Sequence, residues 1–444
     1  MPQGIEALDK YVEYVKENRQ ECLEDYLILK NSIEKSPIKH NGATIGFIYN
    51  PLFYSREEII TIEKIMLKLV EILEKVIKEY LLNSQFRRAF NFSQELEKLI
   101  LLDPGYEMYF PMARFDIFYD FENKELKFCE LNTDGSSGMT KSLVLDREFI
   151  KSKPILTMQK QYKISYLDPV DTWIKALLEN YAGFSGKFFE KPNIAIIDLN
   201  WSKQGMVTEF QEFQRRLEEL GYPTIICDPR DLKFHNGKLY YKNIVINLIY
   251  RRAVTSDLLK IYSEIPDLIL ALKEKAVCMV GSFRSQIIHN KQIFAVIHDP
   301  LFTDFLNAEE KAFIKKYIPY TAIYEEGHRQ EVLAGRKHWV LKPLDAYQSR
   351  GVYIGRDYTD DEWQEIVGKI KPREYLFQEF IEVPRLALVN YVEGRLVEEK
   401  YNQMIGLFLY NKKFSGFYTR VSSFNNVASG LGAVTIPNFI IEDR

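Results

Sequence analysis

Arg114-Phe-Asp116 and Glu130-Leu-Asn132 place a guanidinium, two carboxylates and an amide within a short stretch of chain. Residues 114–121 and 125–132 read as two β-strands joined at Glu122-Asn123-Lys124, where Asn tolerates a left-handed turn. A three-residue connection sets Asp116 opposite Glu130 and Arg114 opposite Asn132. Two carboxylates facing each other across a hairpin repel. A divalent cation between them removes that repulsion, and an oxygen set of Asp, Glu and Asn suits Mg²⁺ held together with phosphates. Glu130 and Asn132, two positions apart, share one face of their strand. A one-residue slip would turn Asp116 to the other face. The bland alternative is an exposed hairpin with scattered charges.

The later half of the chain supplies cations and small residues. Trp339-Val-Leu-Lys342-Pro reads as an apolar strand ending in a lysine, placed to hold a phosphate. A loop through Gln348 follows, and Gly351 lets backbone approach closely before a second strand. This is not a Walker A loop, because no Gly-x-x-x-x-Gly-Lys-Ser/Thr is present. Tyr375-Leu-Phe-Gln378-Glu379-Phe380-Ile381 is an apolar strand interrupted by Gln-Glu, a hinge that offers backbone groups and a carboxylate to an adenine edge. Lys291, expected on the helix after Gly281-Ser282, brings a second ammonium, and Arg420 stands at a strand end near Asn425 and Asn426. Each of these, taken singly, is also an ordinary strand end or a solvated helix lysine.

These groups need a scaffold, and 444 residues suggest two to four subdomains. An aromatic content of 14 % points to aromatic-rich cores, and the net charge of −3 provides no basic field for nucleic acid. Met1 to Glu24 lacks the apolar core of a signal peptide, and no run approaches a membrane span, so neither nucleic acid nor membrane is expected as a partner. Cys22, Cys129, Cys227 and Cys278 form no Cys-x-x-Cys pair, which fits reduced thiols and a cytoplasmic setting.

Four regions follow from the patterning. Residues 1–100 are mainly helical (5–35 and 56–100, the second capped by Ser55), with a short strand at 44–49. Residues 101–185 hold the hairpin, after a turn at Asp103-Pro-Gly105, and then helices over much of 139–182. Residues 186–282 alternate strand and helix: 193–198, 206–220, 223–227, a hairpin at 233–241, 244–250, a helix near 256–272, and 277–280. That rhythm predicts an open parallel sheet. Residues 283–444 begin with a helix to 297 and continue with strands at 338–342, 351–355, 374–381, 388–399 and 413–421.

A lysine, then Lys-Pro with a glycine loop, then a Gln-Glu hinge resembles the order of parts in the ATP-grasp superfamily. The metal motif comes about two hundred residues before Lys342 rather than after the hinge. Arg-x-Asp, Glu-x-Asn-Thr, a βαβ unit with Tyr250-Arg251-Arg252, Asn-Lys and Lys-Pro resemble the circularly permuted branch: eukaryotic-type glutathione synthetases and the synthetase module of glutathionylspermidine synthases. The resemblance covers roughly 106–444 and implies a mixed α/β, circularly permuted ATP-grasp fold with an inserted open α/β subdomain.

Carried over by position, it implies Asp116, Glu130 and Asn132 as ligands of Mg²⁺ and Arg114 as a contact to the transferred phosphoryl group. It implies Lys291 and Lys342 on the phosphates of ATP under the Gln348–Gly351 loop, and Gln378, Glu379, Phe380 and Ile381 along adenine. Arg420 would steady the transition state or an acyl substrate. The segment after Asn132 is Thr-Asp-Gly-Ser-Ser-Gly, not the Asp-Thr-Pro-Thr of glutathionylspermidine enzymes, and no Cys/His amidase module accompanies it.

The implied chemistry is phosphorylation of a carboxylate by ATP and attack of an amine on the acyl phosphate. Small residues at Thr133, Ser136 and Ser137 are the candidate contacts to the acyl substrate, and Arg251 and Arg252 candidates for a second carboxylate. A phosphotransferase and a non-catalytic ATP-binding protein are the competing alternatives. The expected partners are a small-molecule or peptide acid and an amine; no motif in 1–100 or elsewhere sets an oligomeric state.

Overall fold

The expected hairpin forms from strands Met112–Asp120 and Glu125–Asn132 in the computed structural model, which describes residues 3–185, 191–344, 350–382 and 384–444. Arg114 pairs with Asn132 and Asp116 with Glu130, as predicted, but by a different route. Asp120 already pairs with Glu125, so the connection is 121–124, and Lys124 rather than Asn123 takes the positive φ of 57°. That longer loop alone would put Asp116 opposite Cys129. A bulge in the ladder between Asp116 and Ile117 absorbs one residue of the partner strand and restores the register. Asp120 braces the loop by accepting the Glu122 and Asn123 amides at 2.9 and 3.1 Å.

The hairpin is the edge of a six-stranded antiparallel sheet built from both ends of the chain. Arg395–Tyr410 lies beside Met112–Asp120, with Gly406 opposite Asp116, and Lys413–Ser422 and Val434–Ile436 continue outward. Leu386–Val392 pairs with the first half of Arg395–Tyr410, so the single strand expected at 388–399 is a hairpin. Glu393 and Gly394 turn it, at φ of 49° and 76°, the left-handed pair a tight two-residue turn requires.

A second, four-stranded antiparallel sheet runs Thr321–Ile323, Tyr375–Glu379, Trp339–Pro343, Tyr353–Ile354 in spatial order. One face buries Leu341 and Phe377 against Trp363 and Val367 of the helix Asp360–Lys369, which a Thr359/Glu362 capping box starts. Side chains alternate along a strand, so Lys342 emerges on the opposite, open face.

The parallel sheet is as expected, in the order Cys278–Val280, Leu248–Arg251, Ile194–Ile197, Thr224–Cys227. Two details differ. The 244–250 segment splits, and Ile244–Ile246 joins the Leu232–His235/Lys238–Tyr241 hairpin in a separate three-stranded sheet. The helix near 256–272 breaks into Thr255–Lys260 and Pro266–Lys273, because proline is accepted in a first turn and not within a helix.

In the N-terminal region each expected helix is two: Gln3–Glu17 with Arg19–Lys35, and Arg56–Leu82 with Gln94–Leu101. Arg56–Leu82 starts from a Ser55/Glu58 capping box and buries Ile59, Ile62, Met66, Leu69, Leu73, Val76 and Tyr80 at helical spacing. Each large apolar side chain so buried contributes about 1.5–3 kcal/mol. The strand expected at 44–49 does not form; Phe47 makes one bridge, to Thr435. The strand is Leu52–Ser55, which finds a full partner in Asn438–Asp443, parallel to it, with Tyr162–Ser165 on the other side. Among the described residues no helix is long and apolar enough to cross a membrane.

Candidate active site

A cleft of about 870 Å³ opens between the six-stranded and four-stranded sheets. Cys129, Glu130 and Arg420 line it from the larger sheet, Lys342 and Gln378 from the smaller, and Lys291 from between two helices. Val340, Ile354, Phe380, Ile381 and Met404 give it an apolar stretch. Residues separated by most of the chain thus face one space.

Lys342 is held from both sheets. Its Nζ lies 2.6 Å from Gln378 Oε1 and 3.4 Å from the Cys129 carbonyl oxygen. Gln378 is fixed in turn by donating to Thr321 Oγ1 at 2.9 Å. The Gln378 side chain therefore orients Lys342, while Phe380 and Ile381 line the cleft beside it. Glu379 is exposed and also lines the cleft, and Tyr320 donates its amide to Oε2 at 3.4 Å.

Lys291 is not on a helix. It sits in the break between Gln286–His289 and Gln292–His298, and its amide donates to the Leu344 carbonyl just past the Lys342 strand. Its Nζ meets Glu130 Oε1 at 2.9 Å. Burial pushes the Glu130 carboxyl up, but the charge and hydrogen bond of Lys291, with Lys342 and Arg114, outweigh it and hold the group well below the usual carboxylate range. Asn132 Nδ2 approaches Glu130 Oε2 at 3.5 Å, placing both residues on the same strand face.

Asp116 is fully buried, and both its oxygens are engaged by arginine. Arg114 donates through Nε and Nη2 to Oδ1 and Oδ2 at 2.7 and 3.1 Å, and Arg420 Nη2 donates to Oδ2 at 2.7 Å. The carboxylate repulsion anticipated across the hairpin is relieved here by cationic side chains.

The donor set still fits a hard divalent cation, since carboxylate and amide oxygens project from adjacent positions of the hairpin. Among the described residues no three or more His, Cys, Asp and Glu cluster to hold a metal. An ion at Glu130 and Asn132 would therefore take most of its shell from phosphate and water, as Mg²⁺ does when bound with a nucleotide.

The Thr133–Gly138 segment is gripped from beneath. Arg252 donates to the Ser136 carbonyl, Arg114 donates to the Ser137 carbonyl at 2.8 Å, and Glu209 Oε2 accepts the Gly138 amide at 3.2 Å. Thr133 Oγ1 donates to the Ser285 carbonyl and Ser136 Oγ to the Asn132 carbonyl, so both hydroxyls serve the loop itself. The expectation that Arg251 and Arg252 await a substrate carboxylate is corrected. Both are buried at strand ends beside protein carboxylates, Arg251 on Asp134 at 2.5 Å and Arg252 on Glu209 at 3.1 Å, since an unpaired buried guanidinium is prohibitively costly.

Gly351 adopts a φ of 69°, and a Cβ there would meet Tyr375 Oη at 2.9 Å and Pro343 Cγ at 3.1 Å, so it supports the Lys342 strand end. Gln348 lies outside the described residues. Three contributors escaped sequence inspection. Glu209 sits beside the apolar stripe of an amphipathic helix, Asp134 resembles a turn residue before Gly135, and Gly406 is one glycine within a strand; the last two signals are common in loops and strands of any role.

Residues 217–415 match the family described as circularly permuted ATP-grasp type 2. None of the curated proteins matches the sequence. Among solved structures, a glutathione synthetase-like effector from Globodera pallida, in its apo form, is similar at 14 % identity and a TM-score of 0.58, over 95 % of this chain and 97 % of that one. A putative gamma-glutamylcysteine synthetase from Methylobacillus flagellatus KT is similar at 11 % identity over 86 % and 87 % of the two chains, with a TM-score of 0.43. The fold is the circularly permuted ATP-grasp fold, and the matched residues hold Asn290-Lys291 and Lys342-Pro343, whereas Glu130-x-Asn132 lies before them.

Proposed function

We propose that this chain is an ATP-dependent carboxylate–amine ligase that releases ADP and works through an acyl phosphate. The observation that carries this reading is the meeting of Lys291, Lys342 and Arg420 with Glu130 in one cleft between two sheets. ATP-grasp architecture serves this chemistry, and the cleft combines an apolar stretch for a base with cations for a polyphosphate.

Lys342 and Lys291 hold phosphate oxygens, and Phe380 and Ile381 pack the base. Glu130 and Asn132 are the residues that would hold Mg²⁺, which when bound would neutralise charge building on the transferred phosphoryl group, while Asp116, with both oxygens on Arg114 and Arg420, braces those arginines instead. Arg114 and Arg420, fixed by Asp116, bring positive charge to the same place without reorganisation during reaction. A substrate carboxylate oxygen bonds to the terminal phosphorus as the bond to ADP breaks. An amine then attacks the acyl carbon, loses a proton, and phosphate leaves. The braced Thr133–Gly138 loop, next to Arg114, is the proposed acyl-substrate wall. The glutathionylspermidine synthase-like form of this activity is the narrower reading, supported by the order of motifs alone.

Screening pairs of small acids and amines for ADP release tests the proposal. Release requiring both members of a pair supports ligation. Release with a single phosphate acceptor and no amine identifies a phosphotransferase, and nucleotide binding without release under any pair marks a non-catalytic protein.

A further inference from the structure

We propose that Lys141, His40 and the first turn of the helix Val207–Glu219 form a binding site for a small carboxylate anion, outside the cleft and behind the Thr133–Gly138 loop.

Lys141 stands in the first turn of the helix Met139–Phe149 and is only 6 % exposed. Among the described residues its ammonium makes no hydrogen bond and no ion pair. Taking an ammonium out of water without an anion is costly, so a lysine this buried is expected to have a negative partner. The charge reaches His40, a half-buried residue. Burial first, and the Lys141 charge second, hold that imidazole down to about 4, so at neutral pH the ring is uncharged and can donate a hydrogen bond.

Both residues are clasped to the start of one helix. The Lys39 amide donates to Thr208 Oγ1 at 3.0 Å and the Asn41 amide to the Gly205 carbonyl at 2.8 Å, which lays His40 beside the first turn of Val207–Glu219. A tight turn fixes it there, with reciprocal 2.9 Å bonds between His40 and Ala43 across left-handed Asn41 and Gly42. From the other side, the Thr140 amide donates to Glu209 Oε2 at 3.1 Å, bringing Lys141 to the same turn. No side chain caps this helix at Met206, so the positive end of its dipole is open to a ligand. The acid of the turn, Glu209, is occupied by Gly138, Thr140 and Arg252.

One full positive charge, a partial helix charge of about half a unit and a neutral ring donor match a single negative charge. That balance favours a carboxylate over a doubly charged phosphate. None of these residues lines the cleft, so the site is distinct from the one that would hold nucleotide.

Equilibrium dialysis of the full chain against radiolabelled acetate, and separately inorganic phosphate, at fixed ionic strength and pH 7.5 tests this. Wild type should bind one acetate that Lys141→Met weakens at least about tenfold, the equivalent of one charge-assisted hydrogen bond. Acetate bound elsewhere, including in the cationic cleft, would persist in that variant. Thermal melting without acetate should be unchanged or raised in Lys141→Met, since the substitution removes an unpaired buried charge without changing side-chain length much. Equal acetate binding by wild type and Lys141→Met, or none by wild type, overturns the proposal. So does a lowered melting temperature of Lys141→Met without acetate, which would mean that the lysine already has a partner in the protein. Phosphate binding more tightly than acetate, and depending on Lys141, overturns the assignment to a carboxylate.

Discussion

Asp116 lies directly opposite Gly406, on strands drawn from opposite halves of the chain. A Cβ at Gly406 would stand 2.8 Å from Arg114 Cδ and 3.0 Å from Asp116 Oδ1, so the glycine makes room for the arginine–carboxylate pair. Overpacking of this kind costs about 1–3 kcal/mol. Gly406→Ala should lower the urea midpoint accordingly and reduce turnover further than that loss of stability explains, because Arg114 is displaced.

Glu130→Gln removes the charge that attracts the metal but keeps the side-chain shape. With a metal contact worth several kcal/mol of barrier, ADP release should fall about 10²–10³-fold. Circular dichroism should be unchanged. Undiminished ADP release would remove Glu130 from the metal site.

Lys342→Ala deletes an ammonium held between Gln378 and the Cys129 carbonyl. A charge-assisted hydrogen bond contributes about 1.5–3 kcal/mol, so the Kd for ATP should rise about 10–100-fold by calorimetry. Wild-type affinity would count against a phosphate role.

Glu209 is fully buried and accepts from Gly138, Thr140 and Arg252. Glu209→Ala strands the Arg252 charge and frees the loop, at about 3–5 kcal/mol, read as a shift of the denaturation midpoint.

Burial raises the Asp198 carboxyl to about 6, against opposition from Arg252 and the Leu199 amide. An acid whose folded pKa exceeds its unfolded value binds its proton more tightly when folded. Its contribution is therefore favourable at low pH and is lost as pH climbs from about 4 through 6. Asp198→Asn should raise stability by up to about 3 kcal/mol at pH 7.5 and change it little at pH 4. Thermal melts at the two pH values compare these directly.

The elements most legible in the sequence were those that one local pattern decides. The parallel strands announced themselves as apolar runs between turn residues, and Ser55 with Glu58 marked a helix start. The Asp116–Glu130 register was anticipated through a loop one residue too short, and the bulge beside Cys129 compensated. A bulge depends on the neighbouring strand as much as on its own residues, so periodicity does not reveal it. The strand misplaced at 44–49 failed for the same reason: pairing belongs to Leu52–Ser55 because Asn438–Asp443 offers it a full edge. Residue types identified the cations and carboxylates of the cleft, but not their pairing with one another. Arg251 and Arg252 show the limit most clearly, since Asp134 and Glu209 reach them only through tertiary packing.

The most direct measurement is a crystal structure with Mg²⁺ and a non-hydrolysable ATP analogue. It should show the metal about 2.1 Å from Glu130 and Asn132 oxygens, with phosphates against Lys291 and Lys342. Nucleotide bound away from Lys342, or a metal with no ligand on the Asp116–Glu130 hairpin, would contradict the proposed site.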